Sequence, residues 1–262
     1  MLKKRLIPKL LLTKKMIGSE EIDILVTTIN YKKRVSIGDP LSQAKIYEAN
    51  LADELIITAI DCKSLADNDS IFQLLKRMSE EIFMPICVGG GVRELQDIEN
   101  LLKAGADKVS INSKLLIDKN FATDASKCFG SQCVVASIDY GIKDSNCYVF
   151  DHNHSRLTSI CLFEFIKEIT DSNVGEIHLC NIDKDGTSLG LDVKTSKKIN
   201  DNLDIPLIIS GGVGTAQDFV EGFNFADVSA IASGTYFCSK DQNPMQARSH
   251  IANAKIPIRM GT

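Results

Sequence analysis

Three pairs of short apolar phrases recur along the chain in the same order at nearly one spacing, and this repeat constrains the fold more than any other feature. Ile60-Asp61 closes an apolar run that is answered by Ile182-Asp183, an offset of 122 residues. Pro85-Ile86-Cys87-Val88-Gly89-Gly90-Gly91 is answered 121 residues later by Pro206-Leu207-Ile208-Ile209-Ser210-Gly211-Gly212. Ala106-Asp107 recurs as Ala226-Asp227 after 120 residues. Doubly buried β-branched runs of this length are what a parallel sheet needs. Three of them in register mean two homologous halves.

By the same logic Leu6 to Leu12 pairs with Val134 to Tyr140, which sets Leu11 opposite Asp139. Four strands per half, each followed by a segment of helical spacing, close into one eight-stranded α/β barrel, the (β/α)8 or TIM barrel. The 262 residues suit a single barrel domain over 1–262, with half-barrels near 1–130 and 131–262. Helices are expected over 41–50, 71–82, 94–104, 114–129, 162–170, 193–200, 216–223 and 244–253. A long segment after the first strand, 13–36, reads as a lid, with 22–29 able to form a small hairpin. A second hairpin is expected over 147–151 and 156–159.

Composition excludes several classes. A net charge of −4 and a pI near 5.6 argue against nucleic acid or an anionic membrane as the main partner. No apolar run approaches the length that spans a bilayer. The basic start is interrupted by Lys9 and lacks a small-residue cleavage site, so it reads as the first strand rather than a signal peptide. Eight cysteines without a Cys-x-x-Cys pair, among them Cys87, Cys133 and Cys180 in expected strands, read as small buried residues of a cytoplasmic protein. No metal site and no cofactor are called for.

Chemistry is expected at the carboxyl ends of the strands. Asp139 ends an apolar strand there and is the first catalytic candidate. Gly90-Gly91 and Gly212 follow strands and precede helices, where backbone N–H groups and the helix dipole favour an anion. Asn112, Ser113 and Ser233 end the next strands, and Asp185-Gly186 adds a turn. A substrate with a phosphate at each end would bridge the halves.

These phrases, with Lys4-Arg5-x-Ile7-Pro8, Gly38-Asp39-Pro40, Gly105-Ala106-Asp107-Lys108-Val109-Ser110-Ile111-Asn112 and Phe129-Gly130-Ser131-Gln132, resemble the cyclase (HisF) subunit of imidazole glycerol phosphate synthase over essentially the whole chain. The resemblance implies a subunit that takes ammonia from a glutaminase (HisH-type) partner. It would cyclise a bisphosphorylated ribosyl-aminoimidazole precursor in histidine biosynthesis. Asp139 matches one of the family's two essential aspartates. Gly90, Gly91, Asn112 and Ser113 match one phosphate grip, and Asp185, Gly186, Gly212 and Ser233 the other. Arg5, Glu54, Lys108 and Glu176 match the charges that gate ammonia entry. The second essential aspartate falls on Leu11 and a phosphate-holding lid lysine on Thr27. These departures point to a HisF-like paralogue, of the kind that supplies ammonia for amidating surface-polysaccharide sugars.

Alternation along the strands adds a further expectation. With Arg5 inward, Ile7, Lys9 and Leu11 are inward above it, and His178, Cys180, Ser110 and Ser137 share the interior. That spacing predicts a polar interior and a pair between Lys9 and Asp139, with Lys9 made easier to deprotonate and able to replace the missing proton donor.

Overall fold

The computed structural model describes residues 3–18, 20–239 and 242–259. Twelve strands form one sheet: β1 (Arg5–Ile17), β2 (Glu20–Ile29), β3 (Lys33–Gly38), β4 (Leu55–Ala59), β5 (Ile86–Gly89), β6 (Lys108–Ile111), β7 (Val134–Lys143), β8 (Asn146–Asp151), β9 (Arg156–Cys161), β10 (Glu176–Asn181), β11 (Leu207–Ser210) and β12 (Ala230–Ser233). Eight of them, β1, β4, β5, β6, β7, β10, β11 and β12, pair in parallel in that order. β12 returns to β1, so the barrel closes as a (β/α)8 TIM barrel.

Two strands outrun the barrel. β1 pairs with β4 up to Leu12↔Ala59, while its distal part runs antiparallel to β2, which carries β3. β7 likewise continues past Asp139 into the antiparallel β8 and β9. The segment expected as a lid loop with a small hairpin is therefore an ordered antiparallel extension of β1, because its β-branched residues (Ile22, Ile24, Val26, Thr27, Thr28, Ile29) find a ladder ready to extend.

Helices follow the strands where apolar spacing places them. Asp69–Glu81 buries Ile71, Leu74, Leu75 and Met78, one stripe at helical period. Pro40–Ala49 starts where Asp39 caps it by accepting from the Ser42 amide at 2.7 Å, with Pro40 in the first turn. The helix expected over 114–129 is instead two, Ser113–Ile117 and Asn120–Phe129. Asp118 breaks it, extended in backbone, with its carboxylate accepting from the Asn120 amide at 3.1 Å.

Strand alternation divides the core. Leu6, Leu10 and Leu12 face outward into the large cluster under the helices. Ile7 belongs to a separate cluster inside the barrel with Ile56, Cys87, Val135, Ile208, Ala230 and Ala232. A continuous polar interior is thus not what the chain builds. This apolar collar lies one inward step above Arg5 and Glu54 along β1 and β4, and its residues neighbour the polar ones in register, Ile56 beside Lys9, Val135 beside Ser110 and Ile208 beside His178.

Candidate functional site

At the lower mouth, where the strands begin, Arg5, Glu54, Lys108 and Glu176 form one closed circuit. Arg5 Nη1 donates to Glu54 Oε2 at 2.7 Å and Nη2 to Glu176 Oε1 at 2.5 Å. Lys108 Nζ donates to both Glu54 oxygens at 3.0 Å and to Glu176 Oε2 at 2.7 Å. Signs alternate round the ring, so each charge touches two of the opposite sign. Burial alone would lower the Arg5 and Lys108 pKa values, but the carboxylates raise both. Burial would likewise raise Glu176, and Arg5 and Lys108 hold it below the usual value. Phe83, 86% exposed, Leu51 and Phe225 stand in or beside the helix-to-strand connections on this same face.

The collar and then His178 come next. His178 Nε2 lies 2.9 Å from Ser210 Oγ, and burial pushes its pKa down to about 3, with the Lys9 cation pushing the same way. It is a neutral imidazole at neutral pH.

The upper mouth is roofed by the two hairpin turns. The turn between β2 and β3 carries Asn30 and Tyr31, both at positive φ (49° and 56°), a backbone shape that Asn tolerates better than Tyr. It is pinned at several points. Thr28 Oγ1 donates to Asp185 Oδ2 at 2.5 Å, the Asn30 amide to the Asp185 carbonyl at 2.8 Å, and Asn30 Nδ2 to the Asp183 carbonyl at 2.7 Å. On the far side Arg34 forks onto Asp61 at 2.6 and 2.7 Å. Gly186 lets the lid this close, since at φ +69° a Cβ would strike the Thr28 carbonyl oxygen.

Asp139 lies under this roof with both oxygens engaged. Oδ1 accepts from the Tyr31 hydroxyl at 3.0 Å, and Oδ2 accepts from Asn112 Nδ2 at 2.7 Å and lies 2.5 Å from His152 Nε2. Burial would raise its pKa, but His152, with help from Lys9 and His178, holds the carboxyl well below the usual carboxylate range. For His152 burial lowers and the Asp139 carboxylate raises, and the carboxylate wins.

The expected pair between Lys9 and Asp139 is not formed, since neither a hydrogen bond nor an ion pair joins Lys9 Nζ to another described residue. It acts on Asp139 only through the field. Nor is Lys9 easier to deprotonate. Burial would lower its pKa, yet Cys180, Asp139 and Asp185 together raise it. His152 took the place beside Asp139 because the β8–β9 turn delivers an imidazole directly onto the carboxylate. Sequence reading missed both His152 and Tyr31. The available signal was a histidine at the tip of the expected second hairpin, in Asp151-His152-Asn153-His154, close in sequence to the strand that ends on Asp139.

A pocket opens beside β1, β11 and β12, lined by Lys9, Leu11, Thr27, Asp185, Gly186, Gly212 and Ser233 among others. One expected phosphate grip is therefore gathered whole in a single cavity. Thr27 lines this cavity, whose lining does not include Gly90 or Gly91. At that other grip Asn112 already spends its amide on Asp139, and Ser113 opens the helix Ser113–Ile117.

Residues 23–242 match the family described as "Histidine biosynthesis protein". A protein of Prochlorococcus marinus (strain MIT 9313) named "Putative imidazole glycerol phosphate synthase subunit hisF2" is 42% identical over 262 residues, covering 99% of each chain. The chain belongs to the histidine biosynthesis protein family. Within it the chain is a HisF-like paralogue, and the matched stretch carries both hairpin turns, Asp139 and three members of the lower ring, Glu54, Lys108 and Glu176.

Proposed function

We propose that this chain is the ammonia-accepting, cyclase-type subunit of a glutaminase-dependent synthase, with a HisH-type glutaminase on the lower face and a phosphorylated ribosyl-aminoimidazole substrate at the upper mouth. The closed ring of Arg5, Glu54, Lys108 and Glu176 carries this reading. The lower face of such a barrel ordinarily serves stability alone, and burying four charges there costs several kcal/mol per ion before pairing offsets it. A partner that parts Arg5 from its two carboxylates would open the mouth. Above it, the collar of Ile7, Ile56, Cys87, Val135, Ile208, Ala230 and Ala232 is passable to neutral ammonia and costly for ammonium. His178, Ser210 and Lys9 then receive the molecule in a polar layer.

At the upper mouth, the backbone amides at Gly186 and Gly212 and the Ser233 hydroxyl would hold one phosphate, and Gly90, Gly91 and Ser113 the other. Exposed Phe83, Leu51 and Phe225 supply apolar anchors for a protein partner around the ring. The test mixes the purified chain with candidate glutaminases and follows complex formation and glutamine hydrolysis. No complex with any of them would sink the partner. Turnover of the bisphosphate precursor with ammonium chloride tests the chemistry separately.

A second reading is favoured by Leu11, which lines the cavity where a carboxylate would serve. In that reading the barrel passes ammonia to a third protein that amidates a polysaccharide sugar. Glutaminase activation without turnover of the precursor would select it.

A further inference from the structure

His152 and Tyr31 are the ionisable side chains hydrogen-bonded to Asp139 that no expectation touched, and of the two the histidine is the kind of group that exchanges protons near neutral pH. Its Nε2 lies 2.5 Å from Asp139 Oδ2, while Asn112 and Tyr31 fix the carboxylate at 2.7 and 3.0 Å. Held by three partners, with Oδ2 shared between Asn112 and His152, the carboxylate is well placed to orient an imidazole. The ring packs against Tyr31 with centroids 5.3 Å apart and edge-on to Phe150 at 5.1 Å. Its Nδ1 has no hydrogen-bond partner among the described residues, and the side chain is 39% exposed.

We propose that His152 is the proton-transferring residue of the upper mouth and that Asp139 acts through it as a positioning residue. The inference rests on the reading of the barrel as an ammonia-dependent synthase subunit. With Nε2–H donated to Asp139, Nδ1 is the atom that meets the ligand. In the step it serves, ammonia forms a C–N bond at an electrophilic carbon as the bond from that carbon to a leaving oxygen or nitrogen breaks. Nδ1–H gives its proton to the leaving group, and Nδ1 then takes one from the newly bonded ammonium. The imidazolium is regenerated, and the net change is replacement of the leaving group by an amine. The charged and titratable groups facing the ring are Asp139 on β7, Asp151 on β8, Lys9 on β1 and Tyr31 on the lid turn. Desolvation and Lys9 oppose the imidazolium, and Asp139 and Asp151 favour it, with Asp139 dominant.

The experiment uses the full chain with ammonium chloride and the bisphosphate precursor, comparing His152→Gln, Asp139→Asn and Tyr31→Phe with the unchanged protein. His152→Gln should lower kcat by about 100-fold or more with little change in KM, as loss of a general acid does, and the alkaline limb of the kcat profile should disappear. In Asp139→Asn that limb should move to lower pH. NMR titration of the His152 ring should show its pKa above the ordinary histidine value, returning toward it in Asp139→Asn. Turnover unchanged in His152→Gln overturns the proposal while leaving the synthase reading intact, as does an ordinary or lowered pKa for the ring. No turnover by the unchanged protein removes the synthase chemistry itself and the role of His152 with it.

Discussion

Replacing Arg5 with Met removes the one cation of the lower ring that bridges two carboxylates through separate nitrogens, while keeping most of the aliphatic stem. Two charge-assisted bonds disappear, at 2.7 and 2.5 Å. The side chains involved are between 3% and 19% exposed, so solvent screens little. Removing one member of a buried charge network typically costs about 3 to 5 kcal/mol, because the abandoned charge stays buried. Taking about 4 kcal/mol, and about 2 to 4 °C per kcal/mol for a chain of this size, the melting temperature should fall by about 8 to 16 °C. Urea unfolding followed by circular dichroism, with calorimetry as a second probe, measures it. The acid limb should move as well. In the native protein Glu176 is held below its usual pKa, so its contribution is present above the ordinary carboxylate range and is lost as pH falls through the lowered value. Without Arg5, its largest source of lowering, that loss should begin at higher pH. Adding Glu54→Gln to Arg5→Met leaves Lys108 and Glu176 as a matched pair, so the double variant should be less destabilised than the sum of the singles. A loss under about 1 kcal/mol for Arg5→Met, or strict additivity, would show that the four charges do not act as a circuit.

Other consequences are read off the roof and the interior. Gly186→Ala drives a methyl into the Thr28 carbonyl and forces a left-handed alanine, so hydrogen exchange at residues 28–31 should speed up with a stability loss of about 1 to 3 kcal/mol; unchanged exchange would refute the close approach. Asp61→Asn breaks the fork with Arg34, but both side chains are 40% or more exposed, so the expected loss is under about 1 kcal/mol, and a larger one by urea unfolding would mean the lid depends on it. Because His178 is pushed down to about 3, its neutral form adds stability above the unfolded histidine value near 6.5. That stability is lost as pH falls toward 3, at up to about 1.4 kcal/mol per pH unit. His178→Gln should flatten that slope between pH 7 and 5 in urea unfolding.

What could be read in advance was whatever is periodic. Eight strands, the order of the helices and the inward parity of Arg5, Glu54, Lys108 and Glu176 all follow from alternation and repeat, because a barrel leaves each strand residue only two directions. The collar was not legible although Ile56, Val135 and Ile208 are inward by the same parity, because parity fixes which side chains point inward but not which of them meet across the barrel. Tyr31 and His152 were not legible for a different reason. They sit on hairpin turns whose reach over the mouth depends on how far β1 and β7 outrun the barrel, a tertiary length that local pattern does not encode. The pairing of Lys9 with Asp139 failed at the same point, since parity put both side chains inside without saying which of several neighbours would reach the carboxylate first.

The charge balance of the mouth leads to one more expectation, at Asp185. Its carboxylate lines the same cavity as Gly186, Gly212 and Ser233, and its pKa is raised by burial against the opposing pull of Lys9 and the Thr28 hydroxyl. If that cavity is the phosphate grip, a phosphate entering it meets backbone donors and the Lys9 cation, but also a like charge on Asp185. Like charge raises a carboxyl's pKa further, so binding should take up a proton there. Titration calorimetry with inorganic phosphate, run in two buffers of different ionisation heat, reads that uptake directly. Asp185→Asn should bind phosphate more tightly at neutral pH and with less uptake, and comparing the two proteins at one pH cancels the titration of phosphate itself. Weaker binding by Asp185→Asn would mean that the carboxylate organises the lid through Thr28 more than it repels the ligand. Absence of binding by both would remove the phosphate from this cavity altogether.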